Sequence, residues 1–148
     1  MIYVLLTIAA WLLYSASLGV YSWQRPDLGI VDGRLRPCGS KPNCVCSQHA
    51  DSPHAIAALP IKDESPAAAF DRARQAVEAL PRTALVEAGP GYARYECLSF
   101  LFRFADDVEL LLDEPTGAIQ IRSASRVGYS DMGVNRKRVE QIRRNYGQ

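Results

Sequence analysis

The order of hydrophobic periods along this chain predicts an α+β domain: an antiparallel sheet of about four to five strands, two helices packed on one face, and one N-terminal transmembrane helix ahead of it. Three observations predict it. Met1 to Gln24 carries no charged side chain. A period of 3.6 residues governs the stretch around 65–80. From 83 to about 126 the period is two, broken by turn residues, and the chain then returns to a helical pattern. Strands in succession with a helix at each end favour an antiparallel sheet whose helices cover one side.

The run Ile2–Val20 is almost wholly apolar, and about 20 such residues cross a ~30 Å hydrocarbon core as a helix. Backbone groups in lipid must be satisfied internally, which makes the run helical. Trp11, Tyr14, Tyr21 and Trp23 supply amphipathic rings, the last two placed for the headgroup region. A cleaved signal peptide is the alternative. Ser15, Ala16 and Ser17 would form its cleavage site, but the run has no basic start and exceeds the usual apolar core of a signal. The expected division is an anchor at 1–24, an irregular cysteine-containing lead-in at 25–54, and a globular domain at 55–148.

The lead-in is rich in Gly, Pro, Asp, Asn and Ser and shows little periodicity. Residues 55–62 read as a short strand. Ser65 suits an N-cap and Pro66 the first helical position. Phe70, Ala73, Val77 and Leu80 then share a face, and Pro81 stops the helix. Residues 83–88 read as a strand, and Gly89-Pro90-Gly91 as a turn. Tyr92–Phe104 reads as one long strand with Phe100, Phe102 and Phe104 on one side. Val108, Leu110 and Leu112 face inward from the next strand, and Glu114–Gly117 makes a hairpin turn. Ile119 and Ile121 point inward from the following strand, with Gln120 and Arg122 outward. Val139, Ile142 and Tyr146 line the last helix.

Seventeen Lys and Arg against 16 Asp and Glu leave a net charge of +1, which gives no electrostatic footprint for nucleic acid. No G-x-S-x-G, Walker A, G-x-G-x-x-G or H-E-x-x-H signature occurs. The densest polar stretch is Arg122–Arg138. With Ile119 and Ile121 inward, Ser123 and Ser125 point the same way. They either bond neighbouring groups or line a pocket, since an unpaired buried hydroxyl costs ~1–3 kcal/mol. With Asn135 as N-cap, Arg136, Lys137 and Arg138 occupy the positive end of the helix dipole, an arrangement suited to an anion. If Ser130 or Asp131 is the cap, those cations are merely solvated. Asp106 and Asp107 form an acidic pair able to do acid–base work or to pair with arginine.

Cys38, Cys44, Cys46, His49 and His54 cluster in the lead-in. Their C-x5-C-x-C-x2-H-x4-H spacing does not match a structural zinc site. A Cys38–Cys44 disulfide is sterically easy, and Cys46–Cys97 would complete one full connectivity. Neither a metal nor another cofactor is expected.

Three segments resemble a known family. Pro37-Cys38 and Lys41–Gln48 look like its "PC…PNCVSSQ" opening. Phe104–Glu109 looks like its "FVDDVEF" block, and Ile121–Glu140 like its long "VRSASRVGYSDLGVNRKRVE" block. The family is the domain of unknown function 1499, and the match runs from about residue 36 to the last helix. The resemblance implies small membrane-attached or exported proteins and assigns no activity. Cys46 stands where the family's opening usually has serine, so a thiol there is not the family's common chemistry.

Arg25, Arg34, Arg36 and Lys41 follow the anchor, which by the positive-inside rule argues for a cytoplasmic domain. Closely spaced cysteines in an irregular loop argue for an oxidising compartment, and the resemblance leans the same way. The expectation is therefore a single-pass protein with its domain on the extracytoplasmic side. Its function is expected to be binding of a small anionic or amphipathic ligand, or of a partner protein of the envelope. The residues expected to carry it are Ser123, Ser125, Arg126, Tyr129, Ser130, Asp131, Asn135, Arg136, Arg138 and Asp107. The alternatives are a hydrolase using Asp106/Asp107 with Ser123/Ser125, and a structural subunit of an envelope complex.

Overall fold

The computed structural model describes residues 2–49, 52–62 and 65–147; Met1, positions 50–51 of the lead-in, 63–64 ahead of the first domain helix, and Gln148 lie outside the description. Helix α1 is Ile2–Ser22, 21 residues without a charge, long and apolar enough to cross a membrane; a signal sequence passes the same test. Most of its side chains are bare. Its buried positions are Ser15, Gly19 and Ser22, a narrow stripe at helical spacing turned toward the domain.

Strands β1 (Ile30–Val31) and β2 (Arg34–Leu35) form a small hairpin. Asp32 and Gly33 both hold positive φ at its turn, the backbone that a tight two-residue hairpin demands. The main sheet contains β3 (Cys44–Cys46), β4 (Leu59–Pro60), β5 (Thr83–Gly89), β6 (Tyr92–Leu98), β7 (Ala105–Asp113) and β8 (Ala118–Ser125). Its order is β3-β8-β7-β6-β5, with β4 also pairing to β8, and every pair is antiparallel. Helices α2 (Pro66–Glu78) and α3 (Val134–Tyr146) pack together on one face. The α+β class and the pair of helices on one face are thus as expected. The sheet has a sixth strand, β3, whose three residues are too few to show a period.

Ser65 caps α2 as read, its hydroxyl accepting from the Ala68 N–H, with Pro66 behind it. The core on the helix face joins Phe70, Ala73 and Val77 to Tyr95, Val108, Leu110, Ile119, Ile121, Val139, Ile142 and Tyr146. Burying each of these larger side chains contributes roughly 1.5–3 kcal/mol.

Four local readings are corrected. The long strand Tyr92–Phe104 ends at Leu98. Ser99 and Phe104 close a loop, the Ser99 N–H donating to the Phe104 carbonyl, and Arg103 turns through φ 55°. The alternation of Phe100, Phe102 and Phe104 is therefore not sheet alternation. The strand read at 55–62 is only Leu59–Pro60. Gln120 and Arg122, read as solvent-facing, are buried, because the lead-in folds over the second face of the sheet. Asn135 is not the N-cap of α3 but its second residue, fully buried.

Candidate functional site

Sheet register divides the polar residues between two faces. Side chains alternate across a strand, so Asp106 shares the helix face with Val108 and Leu110, whereas Asp107 shares the other face with Glu109. Ser125 pairs opposite Asp106, and Ser123 opposite Val108; both serines belong to the helix side, as read.

On the helix face the polar network centres on Asn135. Its Nδ2 donates to the Asn43 carbonyl at 3.0 Å, Ser125 Oγ at 2.9 Å and Asp131 Oδ2 at 2.8 Å. Its Oδ1 accepts from Ser123 Oγ and from Arg138 Nη1, both at 2.6 Å. Arg138 reaches on to Asp106, Nη2 to Oδ2 2.5 Å. Burial pushes the Asp106 carboxyl above its ordinary value, and Arg138 pulls against it. Asp131 caps α3 from outside: Oδ1 accepts from the Gly133 N–H at 2.9 Å and Oδ2 from the Asn135 N–H at 2.7 Å. Burial opposes the charge of Asp131, but the Asn135 and Gly133 N–H groups overcome it and hold the carboxyl below its ordinary value.

That shift predicts a pH dependence. A carboxyl lowered by folding contributes stability above its unfolded value and loses it as pH falls through the folded one. Asp131→Asn should therefore cost ~1 kcal/mol at neutral pH, the usual weight of a cap. The gap to wild type should close as pH drops below the ordinary aspartate range. Denaturant midpoints of both proteins across acid pH would check it.

On the opposite face Asp107 lies between two guanidiniums. Arg94 Nε and Nη2 reach Oδ1 at 3.0 and 2.9 Å, and Arg126 donates Nε to Oδ2 at 2.7 Å and Nη2 to Oδ1 at 2.8 Å. Arg126 Nη1 also meets Glu96 at 2.8 Å and the Ser22 carbonyl at 3.0 Å. Arg94 Nη1 holds the Pro26 carbonyl at 3.0 Å. This cluster ties the end of α1 to the sheet. Beside it, buried Glu109 accepts from Tyr92, Arg122 and the Gly29 N–H. The expected site residues Asp107 and Arg126 are thus on the other side of the sheet from Ser123, Ser125, Asp131, Asn135 and Arg138. Arg136 stands apart, donating to the Pro53 carbonyl beside a smaller cleft of about 110 Å³. Tyr129 is 72 % exposed and has no hydrogen-bond partner among the described residues.

A largely apolar cleft of about 310 Å³ opens between Leu18 of α1, Phe104, the strand ends at Asp106 and Ser125, and the segment 127–134. It brings together Ser125, Ser130 and Asp131 of the expected residues and adds Asp106, Val127 and Met132. Asn43 is the network member that sequence reasoning missed. It spans from the lead-in to the Gly128 carbonyl at 3.0 Å, and its place in the Pro42-Asn43-Cys44 motif was the available signal.

Cys38 and Cys44 are joined by a disulfide, Cα–Cα 5.7 Å. His49 Nε2 accepts from the Cys38 N–H, and His54 Nδ1 contacts the Cys44 carbonyl, both at 2.9 Å. No group of three or more metal-ligating side chains occurs among the described residues. Cys46 and Cys97 are free and buried. They lie in separate cores on opposite faces of the sheet, so no second bridge can join them. Burial raises both thiols above their ordinary value.

The first and last segments that carry the resemblance interlock here. β3 pairs with β8 at Cys44↔Ala124, Val45↔Ser123 and Cys46↔Arg122. Ser47 Oγ accepts from the Ile121 N–H, and Gln48 Oε1 from the Leu35 N–H. Comparison with curated proteins and with solved structures gives no match. The model of one family, described as protein of unknown function (DUF1499), matches residues 34–145, and the chain belongs to that family.

Proposed function

We propose that the chain is a membrane-anchored binding domain and that its site is the cleft beside the anchor. The occupant is an amphipathic molecule. The observation that carries this reading is the cleft's composition. Leu18, Phe104, Val127, Met132 and Val134 give it apolar walls, while Asp106, Ser125, Ser130 and Asp131 cluster at one side. Ligand sites are mostly apolar with a few convergent polar groups. Of the two ligand types expected, the anionic one loses support: Arg138 is neutralised by Asp106, Arg126 by Asp107 and Glu96, and Arg136 lies elsewhere. A polar end that donates hydrogen bonds suits the two carboxylates.

The same reading takes α1 as an uncleaved anchor and sets the domain on the extracytoplasmic side. Support for the first is the bare apolar surface of α1. Support for the second is the Cys38–Cys44 disulfide, a bond that persists in oxidising compartments. The hydrolase alternative is weakened, because Asp107 is locked by two arginines and Ser123 and Ser125 are bound into the Asn135 network.

Native mass spectrometry of the full chain, extracted from membranes in mild detergent, tests the proposal. The expected spectrum shows the intact chain carrying a lipid-sized mass. Val127→Trp, which fills the cleft, should lose that mass, and Arg136→Ala should keep it. A bare wild-type chain would overturn the ligand reading, and a chain shortened near Ser15–Ser17 would overturn the anchor.

A further inference from the structure

We infer that the loop between β6 and β7, Ser99–Phe104, enters the lipid leaflet alongside α1 as a second, aromatic membrane contact. The inference rests on α1 being an anchor and is independent of what occupies the cleft. It starts from position along the helix. The Phe102 carbonyl oxygen sits 2.5 Å from where a Cβ on Gly19 would be, so only glycine admits the loop there. Gly19 lies three residues before the end of α1 at Ser22, ~5 Å inside it at 1.5 Å per residue. The Phe102 ring stands edge-on to Trp11, centroids 5.4 Å apart. Trp11 is eleven residues from that end, ~16 Å along the helix. A loop seated between those levels lies within the thickness that a spanning α1 crosses.

Composition and bonding agree with that depth. Phe100 and Leu101, at the loop's tip, are 80 % and 72 % exposed, which an aqueous surface disfavours. The loop's ends are satisfied internally, Ser99 N–H to the Phe104 carbonyl and Phe104 N–H to Ser99 Oγ, both at 2.9 Å. Trp23 Nε1 donates to the Arg103 carbonyl at 3.0 Å. These bonds remove the polar groups at the loop's ends that hydrocarbon would penalise, and the backbone of the tip is left for the headgroup region. Cations surround the aromatic tip: the Arg82 guanidinium lies 5.5 Å over the Phe100 ring, and Arg103 has no carboxylate partner among the described residues. Long basic side chains beside buried apolar ones extend to the headgroups, where they meet lipid phosphate. Two contacts, helix and loop, fix the domain's tilt and hold the mouth of the cleft against the bilayer.

The experiment uses the full chain in vesicles of zwitterionic and anionic phospholipid, with Leu101→Cys carrying a polarity-sensitive fluorophore. Buried Cys46 and Cys97 stay unlabelled. Glu114→Cys, exposed at the far end of β7 and ~27 Å away along the strand, is the control. The expected result is severalfold weaker iodide quenching at position 101 than at 114, with strong quenching from nitroxide-bearing acyl chains at 101 alone. Equal iodide access at both positions, in a chain of intact mass that resists alkaline extraction, would overturn the inference while leaving the anchor standing. A shortened or extractable chain would overturn both.

Discussion

Asp107→Asn should destabilise the protein by ~3–5 kcal/mol, the usual cost of breaking one partner out of a buried ion-pair cluster. The carboxylate is 2 % exposed and accepts four charge-assisted bonds from Arg94 and Arg126. Asparagine keeps the shape but removes the charge and turns an N–H2 toward a guanidinium. Glu96 offers Arg126 partial compensation at 2.8 Å; among the described residues Arg94 has no second carboxylate. Urea unfolding of the full chain in detergent measures the loss. Adding Arg94→Met should recover part of it, because the second change removes the cation that the first left unpaired. A loss below about 1 kcal/mol, the scale of an exposed pair, would show the cluster to be solvated. Because the same arginines hold the Ser22 and Pro26 carbonyls, the variant should also loosen the junction between α1 and the sheet.

What the sequence disclosed followed from period and punctuation. Ser65-Pro66 announces a helix start, and the alternation over Val108–Leu112 and Ile119–Ile121 marks a buried sheet face. The second face was hidden because its cover is the aperiodic lead-in: Gln120 and Arg122 look solvated until Ser47, Glu109 and Asp113 are brought to them. The alternating phenylalanines misled for a related reason. Period two describes a strand only where a neighbour continues the ladder, and past Leu98 the chain turns back on α1 instead. The candidate site was half legible. Parity from Ile121 places Ser123 and Ser125, and Asp131 is one of the three caps the sequence offers. Asp107 and Arg126 were grouped with them because they are close in sequence or polarity, whereas parity separates Asp107 from Asp106 onto opposite faces.

Asn135 carries the other large expected effect. Asn135→Leu, close in volume, should cost on the order of 3 kcal/mol, since each buried group left unpaired costs ~1–3 kcal/mol. The Asn43 carbonyl would lose the Nδ2 donor it receives at 3.0 Å, and Ser123 Oγ and Arg138 Nη1 would lose the acceptor they share. Asn135→Asp separates hydrogen bonding from packing. It is isosteric and keeps the Oδ1 acceptor, yet it replaces the donor to Asn43, Ser125 and Asp131 with an oxygen facing the Asp131 carboxylate. It should therefore be at least as damaging at neutral pH, while exposed Lys137→Ala, two positions on, should change stability by no more than about 0.5 kcal/mol. Denaturant midpoints for the three variants decide it. If Asn135→Asp is tolerated, the network's polarity is not what joins β3 to α3. If it fails alongside Asn135→Leu, Asn135 is what positions Ser125 and Asp131, two lining residues of the cleft beside the anchor, and ligand retention should fall with it.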